Sequence, residues 1–228
     1  MDSLALLQSA GTELIDWRWI GENQTEILQA LQGHIFLSFV SIGIALAISL
    51  PVGVVVARYR KAYPPVTVST GLLFTIPSLA MFAILISVGL PVGATPVITA
   101  LVAYSLLVLI RNVVTGIDSV PPETIDAARG MGLTNSQILF KVELPLALPV
   151  IVAGIRIATV TVIGIATIGA YVAGGGLGQL IFDGIGQGFD TKIIVGAVLA
   201  TALAVTADLL LLALERYLRP WARRKKAA

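Results

Sequence analysis

The sequence predicts an all-α, polytopic membrane protein of about five transmembrane helices, with its N-terminus outside and its C-terminus in the cytoplasm. Three observations carry that prediction. Of the 228 residues, 57% are hydrophobic and only 12% charged. Soluble domains are charged at about a quarter of their positions, so too little polar surface is present to coat a water-soluble globule. The apolar residues gather in uncharged runs of bilayer length, and most lysines and arginines gather in three of the segments that flank those runs.

The chain divides into three parts. Residues 1–33 form an extracytoplasmic N-terminal segment in which Asp2, Glu13, Asp16, Glu22 and Glu26 face a single base, Arg18. A secretory leader would begin with bases, so no cleaved signal is expected. Trp17, Trp19 and Ile20, followed by the amphipathic run 26–31, suit a stretch lying at the membrane surface, where indole rings are stable.

Residues 34–215 form the transmembrane domain. A bilayer core takes about 20 apolar residues per helix. The first run, 35–57, holds no charge and stops at Arg58, Arg60 and Lys61. The second, 66–90, is uncharged and contains Pro77, which neighbouring helices can accommodate within a span. The third, 96–110, ends at Arg111. The fourth, 146–173, carries one interior charge, Arg156, and the fifth, 193–214, contains Asp208. A sixth short or re-entrant helix has a candidate in 178–188, which is glycine-rich and carries Asp183. Residues 216–228 form a basic tail suited to anionic lipid headgroups.

Orientation follows from the bases. Arg58, Arg60 and Lys61 lie between spans one and two; Arg111, Arg129 and Lys141 lie between three and four. Arg216, Arg219, Arg223, Arg224, Lys225 and Lys226 follow span five. Five spans put all three groups on one side, the cytoplasm. His34 then falls at the outer edge of span one, as an interfacial residue with no ligand role.

The longest polar stretch after the N-terminus is 112–145. Pro121 and Pro122 suit entry into a helix, and Glu123 near its start favours the helix dipole. Gly130 and Gly132 mark a turn, after which Thr134 or Asn135 caps a second short helix running to Lys141. Two short helices meeting at a kink can fit a groove on a partner and transmit a push.

Within this stretch Asp126, Ala127 and Ala128 are followed by three residues, Gly132, nine residues, and then Val142, Glu143, Leu144 and Pro145. That pattern resembles the EAA loop of binding-protein-dependent ABC importer permeases, with Asp126 in place of glutamate and Val142 in place of isoleucine. The resemblance implies a cytoplasmic coupling helix docked on an ATPase. It places the small side chains of Ala127, Ala128 and Gly132 against that partner, with Glu143, Leu144 and Pro145 closing the loop. A plain helix–turn–helix ahead of span four is the alternative.

Further likeness covers residues 34–215. The stretch 127–156, with Thr75-Ile76-Pro77-Ser78-Leu79-Ala80 and Ala173-Gly174-Gly175-Gly176-Leu177-Gly178, resembles the branch handling glycine betaine, choline, carnitine and proline betaine. The family implies a prokaryotic inner-membrane complex of two permeases, identical or related, two ATPases and an extracytoplasmic substrate-binding protein. ATP and magnesium would belong to the ATPases, with no cofactor in this chain.

No phosphate-binding G-x-x-x-x-G-K-[ST] loop occurs in the sequence, and no catalytic triad or carboxylate pair is evident, so the chain reads as a non-enzymatic pore subunit. With no cysteine and one histidine, it offers no metal-ligand cluster. Nucleic-acid binding does not suit a chain so apolar. Candidate path or gate residues are Thr75, Pro77, Ser78, Tyr104, Tyr171, Gly175 and Gly176. Phe74, Phe82, Tyr104 and Tyr171 are candidate aromatics for a quaternary ammonium in transit, with lipid or interhelix packing as their plainer role. Arg156 and Asp208 would each cost about 2.5 to 3.5 kcal/mol facing lipid, so they are candidates for an ion pair; snorkelling of Arg156 to headgroups is the other option. A secondary transporter would need internal repeats and intramembrane acids, and a channel subunit a filter or ring of pore acids. Asp208 alone is available, and neither rival has its signature.

Overall fold

Three prolines lie inside apolar runs, and only one of them breaks its helix. Pro51 and Pro149 follow leucines, good helix formers, and both stay within continuous helices. Pro77 follows Thr75 and Ile76, whose β-branched side chains favour extended backbone, as does the proline ring itself. Ile76 is extended, with φ −68° and ψ 125°. Pro77 thus interrupts the second apolar run with a break, and the two helices on either side of it can still count together as one bent span. The structure, a computed structural model, describes residues 14–218. Asp2, Glu13 and the tail bases Arg219, Arg223, Arg224, Lys225 and Lys226 lie outside the described residues.

All regular elements among the described residues are helical. Helix α1 (Trp17–Glu22) is capped by Asp16, whose carboxylate accepts from the Trp19 N–H at 3.0 Å. Helix α2 (Gln24–Arg58) is continuous over 35 residues. That is ~52 Å of helix, longer than a hydrocarbon core of ~30 Å, so α2 projects from the bilayer. The run 26–31 is therefore continuous with the helix of span one. Its Ile27, Ala30 and Leu31 pack with Trp19 against Leu177 and Leu180. Trp17 remains exposed, whereas Trp19 stacks edge-on to Phe189 at 5.5 Å.

After a 3-10 turn (Arg60–Ala62), helices α3 (Tyr63–Thr75) and α4 (Ser78–Ser87) meet at 98°. Helix α5 (Ala94–Asp118) runs two turns past the expected stop at Arg111 and forms the middle of the bundle. Its buried face includes Val97, Leu101, Tyr104, Leu109 and Val113, packed between α2 and the later helix α8 (Leu144–Gly169). Close approach depends on small residues. A Cβ on Gly53 of α2 would stand 2.6 Å from Val113 Cβ, and one on Gly169 of α8 would stand 2.6 Å from Val97 Cγ1.

Between α5 and α8 come α6 (Pro122–Gly130), the short α7 (Asn135–Ile138) and a π turn (Leu139–Glu143). The expected second short helix is thus no separate element, since α7, the π turn and α8 form one apolar rod with a 3-10 end (Ala170–Val172). Helix α9 (Leu177–Gln187) fills the place of the candidate sixth element. At ~16 Å it is too short to cross. Helix α10 (Asp190–Tyr217) is the last span. By length and composition four helical stretches can each cross a membrane, and the bent pair Arg60–Thr75 and Ser78–Ser87 makes a fifth.

His34 is fully buried, which corrects its expected interfacial place. The projecting α2 carries it beneath α9, where the Leu177 N–H donates to its Nδ1 at 3.2 Å and its Nε2–H donates to the Ile163 carbonyl at 3.1 Å. Nδ1 must therefore be the unprotonated nitrogen.

Glycine substitutions test this packing. A Cβ on Gly178 would overlap the Thr167 carbonyl oxygen, whereas one on Gly164 meets nothing within 4 Å. Thermal melts in detergent should show Gly178→Ala destabilised, by about 1–3 kcal/mol, and Gly164→Ala unchanged or slightly stabilised. Equal melting temperatures would contradict the packing of α9 on α8.

Candidate functional site

The polar elbow between α5 and α8 is shaped by local backbone chemistry. Helix α6 ends in paired bonds: the Gly132 N–H donates to the Arg129 carbonyl at 2.9 Å, and the Leu133 N–H to the Ala128 carbonyl at 3.2 Å. Both satisfy last-turn carbonyls, and the geometry requires a left-handed residue. Gly132 supplies it, with φ +82°. Its open surroundings, with nothing within 4 Å of a Cβ, show that backbone conformation and not crowding within the chain demands glycine there. The next helix begins with a capping box: the Gln137 N–H donates to Thr134 Oγ1 at 3.3 Å, and the Thr134 N–H to Gln137 Oε1 at 2.9 Å. The π turn then arises ahead of Pro145. That residue has no N–H to give and its ring crowds the carbonyl four residues back, while the Leu144 N–H reaches the Leu139 carbonyl, five back.

The elbow does not present all its motif residues to the outside. Asp126, Ala127 and Gly132 are exposed; Leu144 and Pro145 are half-buried; Ala128 and Glu143 are buried at 1% exposure. Ala128 therefore packs inward, a correction to its expected place against a partner. Met131 and Phe140 join the exposed face, and nothing in the motif pointed to them. Asp126 pairs with Arg129 at 3.3 Å, both well exposed, which contributes little.

Glu143 instead receives both arms of Arg58, Nη1 donating to Oε1 at 3.0 Å and Nη2 to Oε2. Nearby, Arg60 donates to Asp118 at the end of α5. Arg58 and Arg60 were legible only as charges that stop a span. Their partners lie 85 and 58 residues away.

A second group of candidates gathers where α3 meets α4. Thr75 and Pro77 are exposed and Ser78 half-buried. Thirteen residues of α3 rise ~20 Å, less than a hydrocarbon core of ~30 Å, so a span that enters the bilayer at Tyr63 would hold the bend within the core. Pro77 has no N–H for the Leu73 carbonyl, which accepts from the Ile76 N–H at 3.3 Å instead. The Tyr104 hydroxyl donates to the Ile76 carbonyl at 2.8 Å, and its ring meets Phe74 edge-on at 6.1 Å. Tyr104 and Phe82 are buried at 3% and 0% exposure, so in this conformation both pack the bend and neither lines an open path. Tyr171, Gly175 and Gly176 form a separate group around α9. Tyr171 is exposed and packs edge-on to Phe182 at 5.9 Å. Gly175 and Gly176 have φ of +76° and +78°.

Arg156 is held by two carboxylates. Its Nε and Nη2 donate to Asp208 at 2.9 and 3.1 Å, and its Nη1 donates to Glu215 at 2.9 Å. Snorkelling to headgroups is not its arrangement here. Glu215 escaped sequence reading because it falls beyond the apolar run; the seven-residue spacing from Asp208 on α10 puts both on one helix face. The crevice between α2, α8 and α10, about 400 Å³, is lined mainly by apolar side chains such as Phe39, Ile42, Leu46, Ile155 and Leu211. Such a lining suits hydrocarbon, not a hydrated solute.

Residues 49–224 match the family described as binding-protein-dependent transport system inner membrane component. The chain is 41% identical over 223 residues to the glycine betaine/carnitine/choline transport system permease protein OpuCD of Bacillus subtilis (strain 168), covering 97% of this chain and 94% of that protein. It is also 41% identical, over 191 residues, to the osmoprotectant import permease protein OsmW of Salmonella typhimurium, covering 82% and 89% respectively. Among solved structures, a chain of the MetNI methionine ABC transporter in an inward-facing conformation has a similar fold, with a TM-score of 0.77 and 26% identity over 86% of this chain and 98% of that one. This chain therefore belongs to the binding-protein-dependent transport system inner membrane components, and it is a membrane permease.

Proposed function

We propose that this permease is the pore-forming subunit of an ATP-driven importer for small quaternary ammonium osmoprotectants, of the glycine betaine, choline, carnitine and proline betaine type. Two ATPase subunits, a second copy of this chain or a related permease, and an extracytoplasmic substrate-binding protein complete the complex, with ATP and magnesium held by the ATPases. The solutes named for the relatives support the solute class. The elbow carries the mechanical part of the reading: its exposed Asp126, Ala127 and Gly132 stand on a hairpin whose shape is set by backbone bonds within the chain.

The bend at Ile76–Pro77 supports a second permease. Non-helical backbone at membrane depth is tolerated only against protein or a water-filled cavity, and Thr75 and Pro77 are exposed there. That surface faces the second permease or the path between the two. ATP binding draws the elbows together and opens the path outward; hydrolysis lets it return. Each state must differ in its affinity for the ATPase and its nucleotide. A secondary transporter or channel is not favoured by any observation here.

The reading places the elbow in the cytoplasm and the α4–α5 loop outside. The sequence has no cysteine, so single cysteines report topology cleanly. Val92 and Met131 are 65% and 73% exposed. A membrane-impermeant maleimide added to intact spheroplasts should label Val92→Cys and leave Met131→Cys unlabelled until lysis. The opposite pattern would reverse the orientation.

Transport itself is tested in proteoliposomes holding the permease, its ATPase and its binding protein. Uptake of radiolabelled glycine betaine or choline should require ATP and the binding protein, and unlabelled carnitine should compete. Equal uptake without nucleotide would remove the importer reading.

A further inference from the structure

Glu143 is the only carboxylate buried among the described residues, and it sits in the π turn through which the elbow becomes α8. A buried carboxylate costs several kcal/mol unless it is paired with good geometry. The pairing here is two-armed, from Arg58, the last residue of α2. A planar guanidinium holding both oxygens fixes orientation as well as distance, so it can pass on a rotation. Two residues later Arg60 holds Asp118, the last residue of α5. The α2–α3 turn is therefore tied to both legs of the elbow. The turn leads directly, through Arg60–Ala62, into α3, whose far end is the bend at Ile76–Pro77.

We propose that Arg58 and Glu143 are positioning residues that carry displacement of the elbow into α2 and α3, and so to the bend at mid-membrane depth. The proposal rests on the coupling reading above. The two ties differ in kind. Arg60 and Asp118 are 57% and 37% exposed, a pair that water and salt weaken. In the Arg58–Glu143 pair the guanidinium is 39% exposed but the carboxylate only 1%, so this is the better shielded of the two ties and the more rigid connection. The π turn is a fitting place for it. A widened turn is a local weakness in a rod, common at functional sites, and without a tie an applied push would be lost as bending within it.

The test uses the reconstituted complex of permease, ATPase and binding protein, with ATP hydrolysis, solute uptake and ATPase co-purification measured on each preparation. Glu143→Gln keeps the side-chain shape and removes the charge. The expected result is normal co-purification and substantial hydrolysis, with solute moved per ATP reduced roughly fivefold or more, the lower end of usual coupling energies. A proportionate loss of co-purified ATPase, hydrolysis and uptake would mean that the pair serves only folding, and would overturn the proposal. So would an unchanged ratio. The pair Arg58→Cys with Glu143→Cys supplies the second readout in a chain without native cysteine. It should be uncoupled with free thiols and regain coupling once a short bismaleimide bridges them; a bridged protein that stays uncoupled would overturn the proposal. Loss of ATP dependence in the unsubstituted complex would instead remove the coupling reading underneath.

Discussion

A backbone N–H or carbonyl left without a partner in hydrocarbon costs several kcal/mol, and this constraint bears on three breaks between helices outside the elbow. At the first departure the Ile76 carbonyl is taken by the Tyr104 hydroxyl from the central helix α5. At the second, where α9 begins after three glycines, the Leu177 N–H is taken by the buried ring of His34. The loop between α4 and α5 is tied the same way, with the Gly93 N–H donating to the Val172 carbonyl at 3.1 Å. Each break is thus paired with a side chain or carbonyl supplied by a distant span. The breaks are specified parts of the fold.

Those breaks divide the molecule into rigid lengths joined at few places. Helices α2, α5 and α8 pack through small residues and form the frame, while α3 and α4 hang from its side around the bend. Arg156, gripped by Asp208 and Glu215, fastens α10 to α8. At the other end α9, Trp19 and Lys192 fasten α10 to α2 and α1, with Lys192 paired to Glu26 at 3.1 Å and lying over the Trp19 ring. A frame fixed at both ends with one bent arm suits the proposed change of shape at the bend, which leaves the packing of the frame intact.

The sequence was informative where physics is local. Uncharged runs located most helix ends to within a few residues, with two exceptions: α2 begins well before the apolar run, at Gln24, and α5 outlasted Arg111 because two further turns, with Val113 and Ile117, stay buried against α2 and α8. Gly132 and Thr134 were legible as turn and cap because both act on their own neighbours. Legibility failed where partners are far apart. Ala128 faces inward because α6 folds back on the π turn, and no composition records that fold. Arg58 meets Glu143 across 85 residues, and His34 bridges separations of 129 and 143. Pro77 was legible as an interruption, but the sharpness of the bend was not: it depends on the preceding β-branched pair and on a tyrosine from another helix.

In the proposed mechanism a push at a water-exposed hairpin changes the angle of a broken helix within the membrane. Val68 on α3 and Ile84 on α4 are both exposed and lie on either side of the break. Spin labels at these two positions in the assembled, transport-active complex allow the distance across the bend to be measured by pulsed electron resonance, with and without ATP in a hydrolysis-blocked state. The predicted result is a shift of the distance distribution on ATP binding that reverses when nucleotide is removed. An identical distribution in both states, in complexes that still transport, would contradict the claim.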